Sequence, residues 1–338
     1  MNDVVRFTCD ELEALIFEAM SASRTGEKQA RSVARALLAA EIDGRKGHGF
    51  SRVPSYAGQA ISGKVDGMTE GRVVKDLPGA LTIDVRNGFF FPAFDMVLPL
   101  AVKKARSNGI SAVAFMQSHH CGVLGHHVER AAEEGMVSML VANSPEAMAP
   151  WGGNKRIYGT QPIAFGAPRK SGLPLVIDLA LSQVARGNIL TAKQAGKPIP
   201  EGWATDGQGR PTTDADVALT EGMLLPAGGA KGAALALLVE VLAGPLTGAA
   251  LSAEASSFFT TEGRPPAVGQ YFIVIDPEAF AGRDHFLNRI EAVMESIAAQ
   301  EGARIPGSRR EALREKAGKE GLGVPKALVD EAKALAGR

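Results

Sequence analysis

Apolar residues recur at helical spacing at the start of the chain. Leu12, Ile16 and Met20 share one helix face, and Thr8 followed by Glu11 fits a capping box at its N-terminus. The same spacing predicts a second helix over about Glu27–Ala40. The segment after it, DGRKGHGFSRVPSYAGQAISGK, places glycines beside charged residues and a lone histidine. We interpret it as a loop that carries functional side chains.

From about Arg72 the pattern changes to short β-rich runs separated by Pro-Gly and Asn-Gly, which predicts strands joined by tight turns. Further predicted strands are Ile110–Phe115, Val137–Ala142, Ile163–Ala167, Leu175–Leu179 and Tyr271–Ile275, and the predicted helices between them are Met96–Asn108 and His126–Glu134. Alternation of the two patterns through Ser111–Asp178 predicts an α/β layer. The hairpin-like stretch Leu81–Asn87 indicates that the sheet is mixed.

Helical patterns return over Arg283–Arg338, with charges of alternating sign that are typical of solvated helix faces. The sequence therefore predicts an α/β fold with two parts. Residues 1–70 together with 280–338 form a helical part that we expect to carry dimerisation. Residues 71–279 form the central α/β part.

Composition narrows the class of protein. The 338 residues are 45% apolar and 22% charged, which suits a globular chain with a substantial core. Because 37 basic residues balance 37 acidic ones, no net field favours nucleic acid or an anionic membrane as a partner. Two cysteines cannot form a disulfide scaffold, and the first residues lack the apolar run of a signal peptide. We expect a cytoplasmic protein.

One stretch, Gly232–Leu251, is apolar over about the length that a bilayer requires. Glu240 lies near its middle, Pro245 interrupts it, and its many alanines and glycines keep its hydrophobicity low. These features favour a helix buried against a sheet or a partner subunit.

Familiar catalytic motifs are absent from the sequence. No G-x-G-x-x-G of a Rossmann fold occurs, and Lys231 in GGAKG is followed by glycine rather than by the Ser or Thr of a Walker A loop. Neither G-x-S-x-G nor H-E-x-x-H occurs. Motif reading therefore excludes several common enzyme classes and proposes none.

His48 and Arg52 lie four residues apart in the glycine-rich segment. Arginine can bind a carboxylate through two parallel hydrogen bonds, and a histidine near its reference pKa can give or take a proton at neutral pH. The pair would suit a small carboxylic acid in which the atom next to the carboxylate is protonated during the reaction. The alternative is an interface histidine and a surface arginine.

SHHCGVLGHH, residues 118–127, holds four of the six histidines and Cys121. These are zinc ligands, but adjacent pairs cannot both face one ion from regular structure. The other interpretation is a strand-to-helix loop in which Gly122 and Gly125 let the backbone approach a ligand. The helix that follows would then offer free N–H groups to a phosphate.

Three further positions have weaker indications. Asp178 ends a predicted strand, where it could accept hydrogen bonds from a ribose or cap a helix. Arg186 could hold a carboxylate or a phosphate. Lys231 opens the long apolar helix, where a cation is unfavourable unless an anion lies near, so it hints at phosphate binding.

Six segments in this order resemble the malate/L-lactate dehydrogenase family, which also contains sulfolactate and ureidoglycolate dehydrogenases. They are DGRKGHGFSR, NSPEAMAPWGGNKRIYGTQPIAFGAP, LVIDLALSQVARGNI, IPEGWATDGQGRPTTD, LLPAGGAKGAALALLVEVLAGPLTGA and RIPGSRRE. The resemblance runs from about residue 5 to residue 330. It implies an NAD(P)-dependent oxidoreductase, usually a homodimer, whose residues 71–279 form a non-Rossmann cofactor domain. This explains the missing glycine motif.

The resemblance also implies roles for particular residues. His48 would give or take the proton, and Arg52 would bind the substrate carboxylate, with Thr160, Arg186 and Gly187 near the substrate. The residues expected to contact the cofactor are His120, Cys121, Gly122, Val123, Leu124, Asp178, Leu179, Ala180, Lys231, Pro306 and Gly307. No metal site is implied.

Within the family, SHHCGVLGHHVE is most similar to Δ1-piperideine-2-carboxylate/Δ1-pyrroline-2-carboxylate reductases. We therefore expect reduction of a cyclic imino acid to L-pipecolate or L-proline, with a malate- or lactate-type 2-hydroxy-acid dehydrogenase as the alternative. NADP is expected by resemblance, with NAD also possible. Basic residues that could bind its 2′-phosphate are Arg304, Arg309 and Arg310.

Two positions depart from the pattern of that branch. Gly47 stands where the family usually has serine, and Asn188 stands where the reductases have an acid. Without these groups the imidazole of His48 should be less firmly oriented, unless Glu41, Asp43 or water replaces them. The departures leave open a non-catalytic paralogue that binds a nucleotide, and the histidine cluster leaves open a zinc enzyme.

Overall fold

The computed structural model describes residues 3–338, except for the side chains at positions 191 and 194. Its strands are β1 (Val4–Phe7), β2 (Arg72–Leu77), β3 (Ala80–Asp84), β4 (Ile110–Ser118), β5 (Val137–Ala142), β6 (Ile163–Ala167), β7 (Leu175–Leu179), β8 (Ala204–Thr205), β9 (Pro211–Thr212), β10 (Met223–Leu224), β11 (Val268–Ile275) and β12 (Leu322–Pro325). Its α-helices are α1 (Cys9–Ser21), α2 (Glu27–Ile42), α3 (Val53–Ser62), α4 (Phe90–Asn108), α5 (Leu124–Glu133), α6 (Arg186–Gln194), α7 (Ala215–Thr220), α8 (Ala230–Ala243), α9 (Arg283–Ala298), α10 (Arg309–Glu320) and α11 (Lys326–Leu335). Short 3₁₀ turns lie at Lys46–His48, Phe50–Arg52 and Pro277–Ala279.

A seven-stranded mixed sheet forms the centre of the molecule, in the order β2-β3-β4-β11-β5-β6-β7. β3 and β4 run parallel, and the other neighbours in this sheet pair antiparallel. The β2–β3 hairpin turns at Pro78-Gly79, as the sequence predicts. The expected α/β fold with a mixed sheet is therefore confirmed.

Helices cover both faces of this sheet because successive strand residues point to opposite sides. Leu140 and Phe272 belong to the main core, which includes the buried side chains of α4 and α5. Their neighbours Val141 and Tyr271 instead meet Val239 of α8 in a second hydrophobic cluster. The sheet thus separates two apolar layers.

The two ends of the chain meet. β1 pairs antiparallel with β12, and α1 packs against both α2 and α11. α9 lies elsewhere: Met294 packs with Ala167 and Leu175 at the β6–β7 side of the sheet. The division at residues 70 and 280 stays a prediction.

The segment Asp43–Lys64 is not the loop that its glycines indicate. After two 3₁₀ turns it forms α3, which buries Val53, Tyr56 and Ala60 on one face and ends at Gly63 in the left-handed region (φ 80°). Pro54 in the first turn is tolerated, because an N–H there has no helical partner to lose.

α4 begins six residues before the expected Met96, because a proline is tolerated in its first turn as it is in α3. Pro92 is the third residue of this helix, where the backbone needs no N–H donor, so the aromatic residues around it enter the helix. Phe90, Phe91 and Phe94 are all buried there. Pro99 inside the helix does not end it.

α8 covers most of the apolar stretch Gly232–Leu251, and its acidic residue lies inside the protein. Glu240 is buried, and its carboxylate accepts hydrogen bonds from Gln161 Nε2 (2.6 Å), Ser252 Oγ (2.6 Å) and the Ser252 N–H (2.7 Å). Between residues 3 and 338, no helix combines the length and the hydrophobicity that crossing a bilayer requires.

Candidate active site

His48 lies in a turn that a buried carboxylate holds in place. Glu41, at the end of α2, accepts a hydrogen bond from the Phe50 N–H (3.0 Å) and pairs with the ammonium group of Lys46. Gly49 passes so close that a Cβ atom there would overlap the Glu41 carboxylate. Glu41 therefore fixes the backbone on either side of His48.

Arg52 belongs to the same turn. Its Nε donates to the Gly47 carbonyl (2.7 Å), and its guanidinium carbon lies 4.7 Å from the centre of the Phe259 ring. The structure thus brings the two predicted residues, His48 and Arg52, onto one short turn. One edge of the guanidinium is bound to that turn, and one of its faces is covered by an aromatic ring.

A second histidine joins this pair. The rings of His48 and His120 are stacked, with their centres 5.3 Å apart. The hydroxyl of Tyr56 lies 2.5 Å from His120 Nδ1. Burial raises the pKa of the Tyr56 phenol and lowers that of the His120 imidazole, so both groups are neutral at pH 7. Tyr56 is not among the residues predicted from the sequence, although its helical spacing with Val53 and Ala60 indicates a buried position on α3.

Burial also decides the protonation of His48. It lowers the pKa of His48 to about 4, and the positive charges of Arg52, Arg45 and His126 add to this effect. The free imidazole is therefore neutral at pH 7. In the free protein the pKa of His48 therefore lies below the reference value of histidine, and its role in proton transfer stays a prediction.

The four histidines of residues 118–127 have separate partners. The partner of His120 is Tyr56. His119 Nε2 lies 2.8 Å from Gln59 Oε1, and His126 Nε2 lies 3.0 Å from Asp43 Oδ2. His127 Nε2 donates to the Cys121 carbonyl at 2.8 Å. Over the described chain, no group of three or more His, Cys, Asp or Glu side chains is placed to hold a metal ion.

Asp43 is an unforeseen connection to the C-terminal part. Its carboxylate accepts from Arg314 Nε (2.8 Å) and contacts His126, and Arg314 also pairs with Glu129 (2.7 Å). Burial alone would raise the pKa of Asp43, but hydrogen bonds from His126 and Arg314 hold it well below its usual range. Glu41 and Asp43 are both engaged in this way, so neither replaces the missing serine beside His48.

Some of the residues expected to bind the cofactor lie on β7 or next to segments that contact it. Asp178 Oδ2 accepts the N–H of Gly125 (2.9 Å), so it caps the first turn of α5, and its contact with a ribose stays a prediction. A Cβ atom at Gly125 would lie only 3.1 Å from that oxygen. Glycine is what lets the helix approach the strand so closely.

Backbone contacts also bring Gly307, Thr160 and the start of α8 close to β7. Gly307 lies against β7, where an added Cβ would be 3.2 Å from the Val176 carbonyl. Just beyond β7, Leu181 donates its N–H to the carbonyl of Thr160 (2.9 Å) and accepts the N–H of Ala227 (2.8 Å). These bonds bring Thr160 and the start of α8, which carries Lys231, beside the end of β7.

Two arginines are engaged elsewhere. Arg186, the first residue of α6, donates to the Leu219 carbonyl of α7 (3.0 Å). Arg310 donates to the Pro174 carbonyl (3.1 Å) and pairs with Glu129 (2.7 Å). The role of Arg186 and Gly187 in substrate binding stays a prediction, and Arg310 is less suited than Arg304 or Arg309, both exposed, to meet a phosphate.

The chain is similar to known proteins over nearly its whole length. A family model described as malate/L-lactate dehydrogenase matches residues 7–333. A (2R)-3-sulfolactate dehydrogenase (NADP(+)) from Chromohalobacter salexigens is 50% identical over 327 residues, which cover 96% of each chain. A Δ1-pyrroline-2-carboxylate/Δ1-piperideine-2-carboxylate reductase from Pseudomonas aeruginosa is 41% identical and covers 98% of this chain and 99% of its own.

Among solved structures, the Δ1-piperideine-2-carboxylate reductase of Pseudomonas syringae superimposes with a TM-score of 0.92 at 35% identity, covering 98% of this chain and 99% of that one. These relatives support both expectations from the sequence, the imino-acid reductase and the 2-hydroxy-acid dehydrogenase. The chain therefore belongs to the malate/L-lactate dehydrogenase family and is an NAD(P)-dependent oxidoreductase.

Proposed function

We propose that this enzyme uses NADP to interconvert a 2-hydroxy acid and its 2-oxo acid, and that its preferred pair is 3-sulfolactate and 3-sulfopyruvate. The relative at 50% identity bears that name. The observation that carries the proposal is the short turn that places His48 with two guanidinium groups, Arg52, whose Nε donates to the Gly47 carbonyl, and Arg45, which is exposed; the charges of both add to the effect of burial in lowering the pKa of His48. A substrate with two anionic groups matches these two cations.

Each residue has a defined task in this proposal. Arg52 binds the carboxylate through its terminal nitrogens, so that C2 of the substrate faces the nicotinamide. His48 accepts the proton of the C2 hydroxyl during oxidation and returns it during reduction. Arg45, which is exposed beside His48, attracts the sulfonate. The bound dianion offsets both positive charges and so raises the pKa of His48 towards neutrality.

The end of β7 fits a nicotinamide dinucleotide. NADP, when bound, accepts or supplies the hydride at C2 of the substrate. The loop His120–Leu124, which leads into α5, would offer N–H groups to its phosphates, and Gly122 (φ 67°) adopts a backbone conformation that favours glycine. The remaining proposed contacts are Asp178, Leu179, Ala180, Lys231, Pro306 and Gly307, with Arg304 and Arg309 for the 2′-phosphate.

Reduction of a cyclic imino acid is the second candidate. It is supported by the Pseudomonas aeruginosa reductase at 41% identity and by the superposition on the Pseudomonas syringae reductase. A protonated imine already carries the proton that its nitrogen needs, so a neutral His48 does not prevent this reaction. Arg52 would bind the carboxylate in the same manner.

Initial rates distinguish the two candidates. NADPH and NADH are each tested with 3-sulfopyruvate, oxaloacetate, pyruvate, Δ1-pyrroline-2-carboxylate and Δ1-piperideine-2-carboxylate. We expect kcat/KM with NADPH and 3-sulfopyruvate to exceed the values with the acids that carry one anionic group, pyruvate and the two imino acids, by about tenfold or more, because a second charge-assisted contact is worth about 1.5–3 kcal/mol. A higher value for an imino acid would select the second candidate. Absence of turnover with all five would favour a non-catalytic nucleotide-binding protein.

The pH dependence of oxidation tests the neutral imidazole. Because kcat/KM reports the free enzyme, the rate should fall only when the pH drops through the His48 pKa of about 4, where the base becomes protonated. An Arg45→Gln variant removes one nearby positive charge, so this acid limb should move to higher pH. A wild-type limb at about 6.5, the unperturbed histidine value, would contradict the assignment.

An exposed apolar face supports the expected homodimer. Leu235, Leu237, Leu238 and Val241 of α8 are each about half exposed, although the opposite side of the helix packs on the sheet. Light scattering should give twice the mass of the chain, and a Leu238→Asp variant should dissociate. The expected cytoplasmic location remains a prediction, and the free state of Cys9 and Cys121 is compatible with it.

A further inference from the structure

Lys64, just after α3, is a buried lysine without a carboxylate partner in the described part of the chain. Only 2% of its surface is exposed. Its Nζ donates to the carbonyls of Ser257 (2.8 Å), Thr260 (3.0 Å) and Glu262 (2.9 Å), and to the Thr260 hydroxyl (3.1 Å). A lysine is seldom buried unless something compensates its charge, so this arrangement calls for an explanation.

All these acceptors belong to one segment, residues 257–262, which we call the aromatic loop. Its carbonyl groups converge on a single point, where each needs a donor. An ammonium group supplies three N–H donors and a positive charge at that point. Without it, the carbonyls of Ser257 and Glu262 would lose this donor, and the Thr260 carbonyl would keep only its bond from Gln59. The loop therefore depends on this cation for its closed shape.

α3 holds the same loop along its length. Gln59 Nε2 donates to the carbonyls of Phe258 and Thr260, each at 2.9 Å, and Ser62 Oγ donates to that of Thr261 at 2.7 Å. Gly58 allows this approach, since a Cβ atom there would lie 2.5 Å from the Thr261 methyl group. The loop is thus docked by side chains on α3 and closed by Lys64.

The docked loop delivers two rings to the candidate active site. Phe258 is buried and packs against His120 with ring centres 5.0 Å apart. Phe259 lies over the guanidinium of Arg52. Because Arg52 Nε is already bound to the Gly47 carbonyl, the Phe259 ring restrains the direction in which the terminal nitrogens point.

We propose that Lys64 is a positioning residue of the substrate site, a tethered cation that closes the aromatic loop over Arg52 and His120. It acts through Phe259 on the orientation of Arg52, and so on the binding of the substrate carboxylate. This inference rests on the proposed function for its kinetic consequences. The state of the loop itself can be measured without any substrate.

The first test is Lys64→Met, which keeps the apolar stem and removes the ammonium. We expect KM for the preferred acid to rise about tenfold or more, kcat to change less than about threefold, and the dissociation constant of NADPH to stay the same. Hydrogen exchange should increase within residues 257–262. The matched control is Lys28→Met. It removes an exposed lysine of α2 that pairs with Glu70, and it should change none of these quantities.

Chemical rescue identifies the cation as the cause. In Lys64→Ala the missing atoms correspond to n-propylammonium, which should lower KM towards the wild-type value in a saturable manner. Tetramethylammonium at the same concentration has the charge without N–H donors and should fail. Equal recovery with both salts, or with neither, would overturn the proposal.

A milder variant covers the case in which Lys64 variants do not fold. Phe259→Ala removes a ring that is 49% exposed, so the fold should survive, and KM should rise while exchange in the rest of the loop stays native. An unchanged KM would overturn the link to Arg52. If hydrogen exchange in Lys64→Met rises over the whole chain and NADPH binding is lost, the lysine has only a structural role. That result would also overturn the inference.

Failure of the proposed function is a separate outcome. If the wild type turns over none of the five acids, that function is wrong, and the exchange data alone then judge Lys64. Faster exchange confined to residues 257–262 in Lys64→Met supports the inference, and native exchange there overturns it.

Discussion

The substrate side and the cofactor side of the proposed active site are built differently. On the substrate side, His48, Arg52, Tyr56 and His120 meet through side chains: a ring stack at 5.3 Å, a hydroxyl–imidazole bond at 2.5 Å and a guanidinium bound to a carbonyl at 2.7 Å. On the cofactor side, the contacts near the end of β7 are formed mostly by backbone groups and by glycines that have no side chain to obstruct them.

This difference predicts different sensitivities. A side that works by side-chain chemistry should respond to the loss of a functional group and tolerate little change of charge. A side that works by close backbone approach should respond to added volume instead. Substitutions on each side should therefore separate the kinetic parameters of the acid from those of the nucleotide.

The largest expected effect is on the substrate side. His48→Ala removes the proposed proton acceptor, so kcat/KM for oxidation of the 2-hydroxy acid should fall by about 10²–10⁴-fold, the usual contribution of a general base. Steady-state oxidation rates measure this. The dissociation constant of NADPH, from fluorescence titration, should stay within about twofold of the wild type.

The same variant also tests the second candidate. Reduction of a protonated cyclic imine should suffer much less in His48→Ala, because the substrate brings its own proton. A near-normal rate of hydroxy-acid oxidation would refute the role of His48. Equal losses for both substrate classes would mean that the imidazole shapes the site rather than transferring a proton.

A smaller loss should follow from Arg52→Lys. The charge remains, but the planar fork, its bond to the Gly47 carbonyl and its stacking on Phe259 are lost. We expect KM for the acid to rise by about 10–30-fold, which corresponds to the loss of one or two charge-assisted hydrogen bonds. Steady-state kinetics with varied acid at saturating NADPH measures it. If the NADPH dissociation constant rose by the same factor, the substrate side and the cofactor side would not act independently, and the comparison would be wrong.

On the cofactor side, volume should matter. In Gly125→Ala the new Cβ would press on Val176 at 3.0 Å and on Asp178 Oδ2 at 3.1 Å, so the strand and helix must separate slightly. We expect the NADPH dissociation constant to rise about three- to tenfold, with KM for the acid nearly unchanged, since overpacking costs about 1–3 kcal/mol. Gly318→Ala, at a helical glycine with open space around it, is the control. Unaltered NADPH binding in Gly125→Ala would contradict the backbone-based site.

The same contrast explains what sequence could predict. His48 and Arg52 were found from residue type and spacing, because proton transfer and carboxylate binding demand those side chains. Among the cofactor residues, Gly122, Asp178 and Lys231 had only weak indications from the sequence, and Pro306 and Gly307 were reached only by resemblance. Geometry decided the rest: the burial that lowers the pKa of His48 and the contact of Asp178 with Gly125 depend on residues distant in sequence.

The fold followed a similar rule. Strands inside the sheet, such as Val137–Ala142, were predicted where they lie, because burial on both faces produces a continuous apolar run. β1 and β12 were missed: they are four residues each, lie more than 300 residues apart and pair only with each other in the described part of the chain. α3 was missed because its helical spacing is preceded by glycines that suggested a loop.

The smallest expected effect concerns Gly47, where the family usually has serine. An added Cβ meets nothing within 4 Å, and the backbone there does not require glycine, so serine fits. Its hydroxyl could orient the imidazole of His48, which Glu41 and Asp43 do not contact. One net hydrogen bond is worth about 0.5–1.5 kcal/mol, so kcat in Gly47→Ser should rise about two- to tenfold.

Gly47→Ala provides the matched control, because it adds the Cβ atom without the hydroxyl. If both variants leave kcat unchanged, the stack on His120 already holds His48 firmly enough, and the substrate side needs no further side-chain contact. If only the serine variant gains activity, the hydroxyl orients the imidazole in this chain as well. Either result measures how much of the orientation of His48 comes from its ring partner, and neither variant should alter NADPH binding.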